Sequence, residues 1–260
     1  MRTAPKLTRR ASNAEHASTR VIAAARKFFF IHVMKTGGGT LRRHLEANFA
    51  PGEVYPGRPD HDMVRANTSL AYLTSLSPQR MERIKVFTGH FPYLAVELLG
   101  GDLTTLTILR DPVERTLSFL RSRQQDQGWE LEAIYEEPYT FAGLIHNHQT
   151  KVFSLTEIDR PGSYLKNLDV NSERLELAKA NLERIDVVGT RERFGDFCAE
   201  LSARFGWRFG AVKRKNVTRH VERVSKSFRR RIAEDNQADL EFYEYARHLS
   251  DSQRSERDRI

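Results

Sequence analysis

One short stretch of the chain combines a lysine, two threonines and three consecutive glycines. In order, these residues are Lys35, Thr36, Gly37, Gly38, Gly39 and Thr40. Glycine tolerates positive φ and lets backbone N–H groups come close to a ligand. The lysine adds a positive charge, and the threonines add hydroxyl groups. Because such groups together can hold a phosphate or another oxyanion, the stretch is predicted to be an anion-binding loop.

The elements on either side of this loop favour the same interpretation. Residues 27–33 hold three Phe, one Ile and one Val, which is typical of a parallel strand buried on both faces. After the glycines, Leu41, Leu45 and Phe49 recur at helical spacing. A strand that leads through glycines into a helix N-terminus directs amide groups and the positive end of the helix dipole at a bound anion. The alternative is an ordinary strand–helix turn in which the glycines serve only geometry.

Strands and helices alternate along the rest of the chain. Residues 50–62 are rich in Pro, Gly and Asp and are predicted to be a loop. Further strands are predicted at residues 84–88, 103–110 and 185–190, and further helices at residues 112–127, 170–184, 191–205 and 228–249. This alternation predicts an α/β fold of three layers, P-loop-like in architecture, with a central, mainly parallel sheet flanked by helices.

Another strand end carries residues that suit a second anionic group. Arg110 closes the strand at residues 103–110, and Ser118 lies two helical turns further on. A guanidinium can bind a phosphate with two charge-assisted hydrogen bonds, and a serine hydroxyl can add a third. The pair therefore predicts a second phosphate site. A surface ion pair of Arg110 with Asp111 or Glu114 is the alternative.

Three histidines lie close to these elements. His90 stands in a Gly-His pair directly after the strand at residues 84–88. A neutral imidazole at the carboxyl end of a strand can accept a proton from a substrate, although a lone histidine is more often structural. His32 is expected to pack within the first strand. His44 is expected to face solvent on the first helix.

The glycine loop differs from the P-loop of nucleotide-binding proteins. That motif, G-x-x-x-x-G-K-[ST], places its lysine after the glycines and uses its hydroxyl to bind magnesium. Here Lys35 precedes the glycines, and the other strands end in His90, Arg110 and Thr190 rather than in an acidic residue. The site is therefore expected to work without a metal. A P-loop-type, ATP-dependent small-molecule kinase is kept as the alternative.

Five segments, in this order, resemble the bacterial sulfotransferase family, which is related to heparan and dermatan sulfate uronosyl 2-O-sulfotransferases. They are FFFIHVMKTGGGTL, FTGHFPY, LTILRDPVERTLSFLRS, QTKVFSL and IDVVGTRERF, and they span most of residues 27–249. The resemblance implies an enzyme that uses PAPS (3′-phosphoadenosine 5′-phosphosulfate) as co-substrate. It assigns the 5′-phosphosulfate to residues 35–40, the 3′-phosphate to Arg110 and Ser118, and the catalytic base to His90. It also places the basic loop at residues 213–218 near the cofactor.

Three positions depart from the family pattern. Gly39 stands where the family usually has Thr or Ser, so one hydroxyl contact is missing. Thr88 stands where the uronosyl enzymes have a further histidine, which argues against the same sugar acid as acceptor. Val33 and Met34 replace the more usual Ile-Pro before the lysine.

The resemblance also implies a mechanism, in which a sulfuryl group moves in line from PAPS to an acceptor hydroxyl. Lys35 and the loop amides would stabilise the charge that grows on the leaving phosphate, and His90 would take the proton of the hydroxyl. The acceptor is expected to be a carbohydrate, while lipid-linked glycans and small alcohols stay open. Trp129, Tyr135 and Tyr139 are candidates to stack on it, with ordinary packing as the alternative.

Composition limits the class of protein. The chain has 260 residues, 39% of them hydrophobic, and a net charge of +8, which suits one domain with an anionic ligand or partner. A nucleic-acid-binding module is a third possibility, but basic patches interleaved with aromatic residues are absent, so we expect no nucleic-acid partner. No stretch approaches the ~20 apolar residues of a membrane helix. Cys198 is the only cysteine and is expected to be a small core residue. Because a single cysteine allows no intrachain disulfide, nothing points to an oxidising compartment, and a cytoplasmic location is expected.

The predicted organisation is a single domain between two tails. Residues 1–26 are basic and are expected to form a disordered tail, and residues 250–260 a polar C-terminal tail. Residues 27–249 are expected to form the sulfotransferase domain. Within it, residues 50–80 and 128–165 are expected to be insertions on the acceptor side.

Overall fold

A computed structural model of the chain describes residues 26–159, 164–210, 224–257 and 259. The basic tail expected at residues 1–26, apart from its last residue, and the basic loop at residues 213–218 lie outside these ranges. The described residues form one five-stranded sheet with the order β2-β3-β1-β4-β5, and every neighbouring pair of strands is parallel. The strands are β1 (Lys27–Ile31), β2 (Val54–Tyr55), β3 (Val86–Phe87), β4 (Leu103–Leu109) and β5 (Val187–Thr190). The α/β fold with a central parallel sheet is thus confirmed.

Helices connect the strands and cover the sheet. In chain order the α-helices are α1 (Gly38–Asn48), α2 (Met63–Thr68), α3 (Leu70–Thr74), α4 (Pro78–Arg83), α5 (Leu94–Leu99), α6 (Pro112–Gln127), α7 (Leu131–Glu136), α8 (Pro138–Thr140), α9 (His148–Ser154), α10 (Ser172–Glu183), α11 (Phe194–Phe205), α12 (Lys226–Glu234) and α13 (Gln237–Arg257). A π-helical turn (Phe141–Ile145) separates α8 from α9, and two short 3₁₀ turns span Glu157–Asp159 and Tyr164–Asn167.

The alternating side chains of β1 supply the two faces of the core. Phe28 and Phe30 point to one face and pack with Leu41 and Leu45 of α1. Phe29 and Ile31 point to the other face and belong to a cluster that includes residues of α10 and α13. Because side chains alternate along a strand, a fully apolar β1 requires cover on both faces. The structure provides that cover, which makes β1 the centre of a three-layer domain.

The structure differs from the sequence-based assignment most clearly at two places. Residues 50–62 are not all loop, because Val54 and Tyr55 pair in parallel with β3 as strand β2. The helix expected at residues 228–249 is two helices that are interrupted at residues 235–236, and α13 continues through most of the expected polar tail. Asp235 accepts a hydrogen bond from the Tyr135 hydroxyl at 2.7 Å, and the side-chain oxygen of Asn236 accepts one from the amide of Asn147 at 2.8 Å. These long-range bonds coincide with the break.

The strand order creates a crevice at the carboxyl end of β1. In the sheet, β3 and β2 lie on one side of β1, and β4 and β5 lie on the other. Ligands of open parallel sheets bind where the strand order reverses in this way. The loop after β1 therefore lies between the ends of β3 and β4, which carry His90 and Arg110.

Candidate active site

A cleft of about 510 Å³ lies at this crevice. Its lining includes seven of the eight predicted cofactor-binding residues and the predicted base. The predicted residues in the lining are Lys35, Gly37, Gly38, Gly39, Thr40, His90, Arg110 and Ser118. The fold thus brings together segments that are far apart in the sequence, at one edge of the sheet.

The loop after β1 has the backbone conformation of an anion cradle. Lys35 and Gly37 both have positive φ, at 68° and 107°. Positive φ is unfavourable for a lysine and is typical of strained functional positions. No side chain caps the N-terminus of α1, which begins directly after Gly37. The Thr40 amide already donates to the Gly37 carbonyl at 3.0 Å. The amides of Gly38 and Gly39, at the start of the helix, are therefore left for a ligand, together with the positive end of its dipole.

The three glycines of the loop have different structural roles. A Cβ on Gly38 would lie 2.0 Å from Cδ2 and 2.1 Å from Nε2 of His32, so the imidazole lies directly on this glycine. A Cβ on Gly37 would lie 2.8 Å from Cδ of Arg191. A Cβ on Gly39 would meet nothing within 4 Å. Glycine is thus favoured at residue 37 by its positive φ of 107° and at residue 38 by packing against His32, whereas the position of Gly39 has room for a side chain.

The end of β4 holds Arg110 against the loop. The Arg110 guanidinium donates through Nη1 to the Lys35 carbonyl oxygen at 3.1 Å, while its contact with Glu114 is a distant 3.9 Å. The side-chain amide of Gln149 binds both backbone groups of Arg110, accepting from its N–H at 3.1 Å and donating to its carbonyl at 2.8 Å. Asp239 accepts the backbone N–H of Gln149 at 3.0 Å. This chain of bonds fixes Arg110, so the surface-pair alternative does not describe its main contacts.

Three arginines of the cleft were missed by the sequence analysis, namely Arg43, Arg121 and Arg191. Arg121 follows Ser118 by three positions, so both lie on one face of α6. Its Nε is buried without a hydrogen-bond partner among the described residues. Arg191 directly follows β5, and it is free of helix α11 because that helix begins at Phe194 rather than at residue 191. Helical spacing and the strand-end position are the signals that could have identified these two.

The cleft is strongly cationic. Its described lining includes Lys35 and four arginines and contains no carboxylate. Desolvation lowers the pKa of Lys35, and the positive charge of Arg110 lowers it further. The pKa of Arg110 is also lowered, chiefly by desolvation. A bound polyanion would relieve the mutual repulsion of these groups. The charge of the cleft therefore suits a ligand with two anionic ends.

His90 is anchored in one tautomer. Its Nδ1 lies 3.0 Å from the carbonyl oxygen of His32. A carbonyl can only accept, so Nδ1 carries the hydrogen and Nε2 keeps a lone pair. Desolvation lowers the pKa of His90, and the charges of Arg42 and Lys35 act in the same direction against the opposing bond to His32. The ring is therefore neutral near pH 7 and can accept a proton.

A second cavity, of about 280 Å³, adjoins the cleft. His32, Met34 and His90 line both spaces. The imidazole of His32 lies beside that of His90, with ring centroids 4.4 Å apart. The cationic cleft and the second cavity therefore meet at the predicted base, as a transfer between two substrates requires.

Several predicted roles look different in the structure. Thr36 is buried and lines neither cavity, and its hydroxyl donates to the Val33 carbonyl at 2.9 Å, so this hydroxyl is not available to a ligand. Thr88 is also buried and donates to the Tyr55 carbonyl at 2.8 Å, and it lines neither cavity. The solvent-facing position expected for His44 is wrong, because its ring is buried against Phe209 at 5.1 Å between centroids.

Other predicted residues fall into the core or at the cavity rim. Cys198 is buried, and burial raises the pKa of its thiol to about 11, which confirms the core interpretation. Of the three aromatic candidates, Tyr135 is fully buried, Trp129 lines neither cavity, and Tyr139 lines the second cavity. His148 also lines that cavity.

Within residues 26–159, 164–210 and 224–257, no group of three or more His, Cys, Asp or Glu side chains could hold a metal ion. Over the same ranges, none of the helices has the length and apolar character needed to cross a membrane.

Comparison with known proteins supports a sulfotransferase relationship. No family model matches the sequence. The chain is 28% identical to heparan-sulfate 6-O-sulfotransferase 2 of Danio rerio over 283 aligned positions, which cover 85% of this chain and 57% of the relative. The chain thus spans little more than half the length of this curated relative. The relative is named for 6-O-sulfation, whereas the resemblance in the sequence pointed to uronosyl 2-O-sulfotransferases. Similarity to a heparan-sulfate sulfotransferase therefore supports the broader class that the sequence predicted.

Proposed function

We propose that the protein is a sulfotransferase that moves a sulfuryl group from PAPS to an acceptor hydroxyl. The observation that carries the proposal is the junction of the two cavities at His90. One cavity holds five cationic side chains and an uncapped helix N-terminus, and the other is open to a second substrate. The similarity to a heparan-sulfate sulfotransferase supports the same reaction class.

In this proposal, the two ends of the cofactor bind at two places in the cleft. The 5′-phosphosulfate would bind the amides of residues 37–39 and the ammonium of Lys35, which lie around the N-terminus of α1. The 3′-phosphate would bind Arg110 and Ser118, with Arg121 one helical turn further. Thr36 would support the loop from below rather than contact the cofactor, because it is buried and its hydroxyl is already bonded to Val33.

The proposed chemical step is an in-line displacement at sulfur. The acceptor oxygen forms a bond to sulfur while the bond from sulfur to the 5′-phosphate oxygen breaks. Lys35 stabilises the charge that develops on this leaving oxygen, and Nε2 of His90 takes the hydroxyl proton. The products are the sulfate ester and adenosine 3′,5′-bisphosphate. The fixed tautomer of His90 keeps the required lone pair available without rearrangement.

The acceptor class is a separate question. The similarity to a heparan-sulfate enzyme favours a saccharide, as the sequence analysis expected. A kinase that uses Mg-ATP remains the competing function. It fits the cleft less well, because kinases hold magnesium with carboxylates and the described lining of the cleft has none.

Thermal unfolding with candidate ligands tests the proposal. Adenosine 3′,5′-bisphosphate without magnesium should stabilise the protein by ~2.7 kcal/mol at a concentration of 100 times its Kd. Arg110→Ala should weaken binding by ~1.5–3 kcal/mol, the contribution of a charged hydrogen bond. Arg58→Ala is the matched control, because Arg58 is exposed and lines neither cavity. Stabilisation by Mg-ATP alone would refute the proposal in favour of a kinase.

Turnover measurements separate the chemical roles. With labelled PAPS and a panel of acceptors, Lys35→Ala should abolish transfer. His90→Ala should abolish transfer while leaving bisphosphate binding within about twofold, since the imidazole faces the acceptor side as well as the cleft. Full turnover by His90→Ala would remove His90 from the mechanism.

A further inference from the structure

The second cavity has a chemical character that the proposed reaction does not explain. Its wall is made largely of apolar side chains, which are Met34, Pro92, Leu144, Val152, Leu155 and Leu165. No carboxylate and no arginine is among its described lining residues, and Lys166 is the one cation there. A cavity with this lining favours an apolar occupant with few charges.

Two polar side chains of the cavity, Thr68 and His148, are already hydrogen-bonded within the protein and offer a ligand few further bonds. The Thr68 hydroxyl donates to the Val64 carbonyl at 2.9 Å. His148 is buried, and its Nδ1 donates to the Gly143 carbonyl at 3.1 Å, so its ring presents at most one lone pair. Desolvation lowers the pKa of His148 well below its ordinary value, which keeps the ring neutral.

One wall of the cavity is held rigidly. The π-helical turn Phe141–Ile145 leaves carbonyl groups that two buried cations bind. Arg115 donates through Nη2 to the Leu144 carbonyl at 2.8 Å, and Lys151 donates to the Ala142 carbonyl at 2.8 Å. Both cations point at backbone oxygens, so neither serves as a charge for a ligand in the cavity. Such π turns often mark functional sites.

The same wall closes against the turn at residues 164–167. A Cβ on Gly143 would lie 3.4 Å from Cβ of Lys166, so the two segments touch. Lys166 in turn places its ammonium over the ring of Tyr139 at 5.3 Å. Both side chains are exposed at the rim. The cavity therefore has a closed apolar side, with its cation at the edge.

From these features we infer that the acceptor is a compact, mainly apolar hydroxyl compound, such as an aryl or alkyl alcohol with at most one anionic group, rather than the saccharide that the similarity to a heparan-sulfate enzyme favours. A sulfated polysaccharide carries charge on nearly every sugar and would need several cations in the cavity that receives it. The described lining offers one, at the rim. A volume of about 280 Å³ suits one or two fused rings rather than a chain of sugars. The inference rests on the proposed function, because it identifies the group that His90 deprotonates.

The test combines a binding assay with an acceptor panel on the full chain. Binding of adenosine 3′,5′-bisphosphate is measured first, because it reports on the cleft alone. Transfer from labelled PAPS is then measured to 2-naphthol, 4-hydroxybenzoate and de-O-sulfated heparan sulfate. We expect kcat/KM for each of the two aryl alcohols to be at least ~10-fold higher than for the polysaccharide.

Substitutions in the cavity wall provide the structural control. Leu144→Lys and Leu165→Lys each place an unpaired charge against the apolar ligand and should raise its KM by ~10-fold or more. Leu98→Lys is the matched control, because Leu98 is also partly buried but lines neither cavity. Each variant must bind the bisphosphate as the parent does, which shows that it is folded.

The outcomes separate the two proposals. Bisphosphate binding with sulfation of the polysaccharide alone, or of none of the aryl alcohols, would overturn the inference and leave the cofactor assignment standing. Absence of bisphosphate binding would overturn the proposed function and the inference with it. Unchanged KM values in both leucine variants would show that the acceptor does not use this cavity.

Discussion

Replacement of Gly38 by alanine tests whether the positions of His32 and His90 depend on packing against the glycine loop. The added Cβ would lie 2.0 Å from Cδ2 of His32, whereas ordinary contact begins near 3.4 Å, so the ring must retreat by about 1.4 Å. It has little room, because it lies between Phe30, at 5.3 Å between centroids, and His90, at 4.4 Å. The His90 ring is bonded to the His32 backbone and would be disturbed as well.

The expected cost follows from overpacking of a filled site. Such insertions cost ~1–3 kcal/mol, and for a chain of this size each kcal/mol lowers Tm by ~2–4 °C. We therefore expect Gly38→Ala to lose about 2 kcal/mol and ~4–8 °C, and to bind adenosine 3′,5′-bisphosphate more weakly. Gly39→Ala is the matched control. Its Cβ meets nothing within 4 Å, and removing a helical glycine should add ~0.5–1 kcal/mol.

Denaturant unfolding and calorimetric titration with the bisphosphate provide both measurements. A double variant, Gly38→Ala with His32→Ala, should recover part of the lost stability, because the ring that clashes is gone. The reasoning is refuted if Gly38→Ala unfolds at the parent's temperature and binds the bisphosphate with the parent's affinity. It is also refuted if Gly39→Ala loses as much stability as Gly38→Ala.

Three further predictions concern the neighbours of these residues. Gln149→Met leaves both backbone groups of Arg110 unpaired, so it should cost ~1–3 kcal/mol of stability and weaken bisphosphate binding in titration calorimetry; an unchanged Kd would contradict the positioning role. Arg121→Gln should weaken the same binding by ~1.5–3 kcal/mol without loss of Tm, and full affinity would place the 3′-phosphate elsewhere. The pKa of His90 is lowered, and its neutral form is the proposed base. The value of kcat/KM should therefore fall only as the pH drops below about 6.5, and a fall that begins above this pH would exclude His90 as the base.

The sequence was informative where a feature is local. The glycine loop, the apolar β1 strand and the proline-started helix α6 each depend on neighbouring residues, and their positions agree with the structure. The predicted residues of the cleft meet because parallel strands end at the same edge of a sheet. Arg110 and His90 could therefore be placed beside Lys35 without knowing any contact between them.

The remainder depends on contacts between distant segments. Strand β2 is only two residues long, and it forms because Val54 and Tyr55 find partners on β3. His44 is buried by Phe209, which lies far along the chain. The hydroxyl of Thr36 turns to the Val33 carbonyl instead of the cleft, and a hydroxyl can make either bond without changing the motif. None of these outcomes has a periodic signal in the sequence.

The hydrogen bonds from Asp239 through Gln149 to Arg110 have a consequence for the order of assembly. The lysine loop is synthesised early, but the residue that fixes the second phosphate site is on α13, the last helix described. A nascent chain can thus form the sheet before it can hold the cofactor at both ends. Binding of the bisphosphate and docking of α13 are then coupled, so the bound bisphosphate should slow proteolysis of α13. Cofactor occupancy would in this way report that α13 has docked on the sheet.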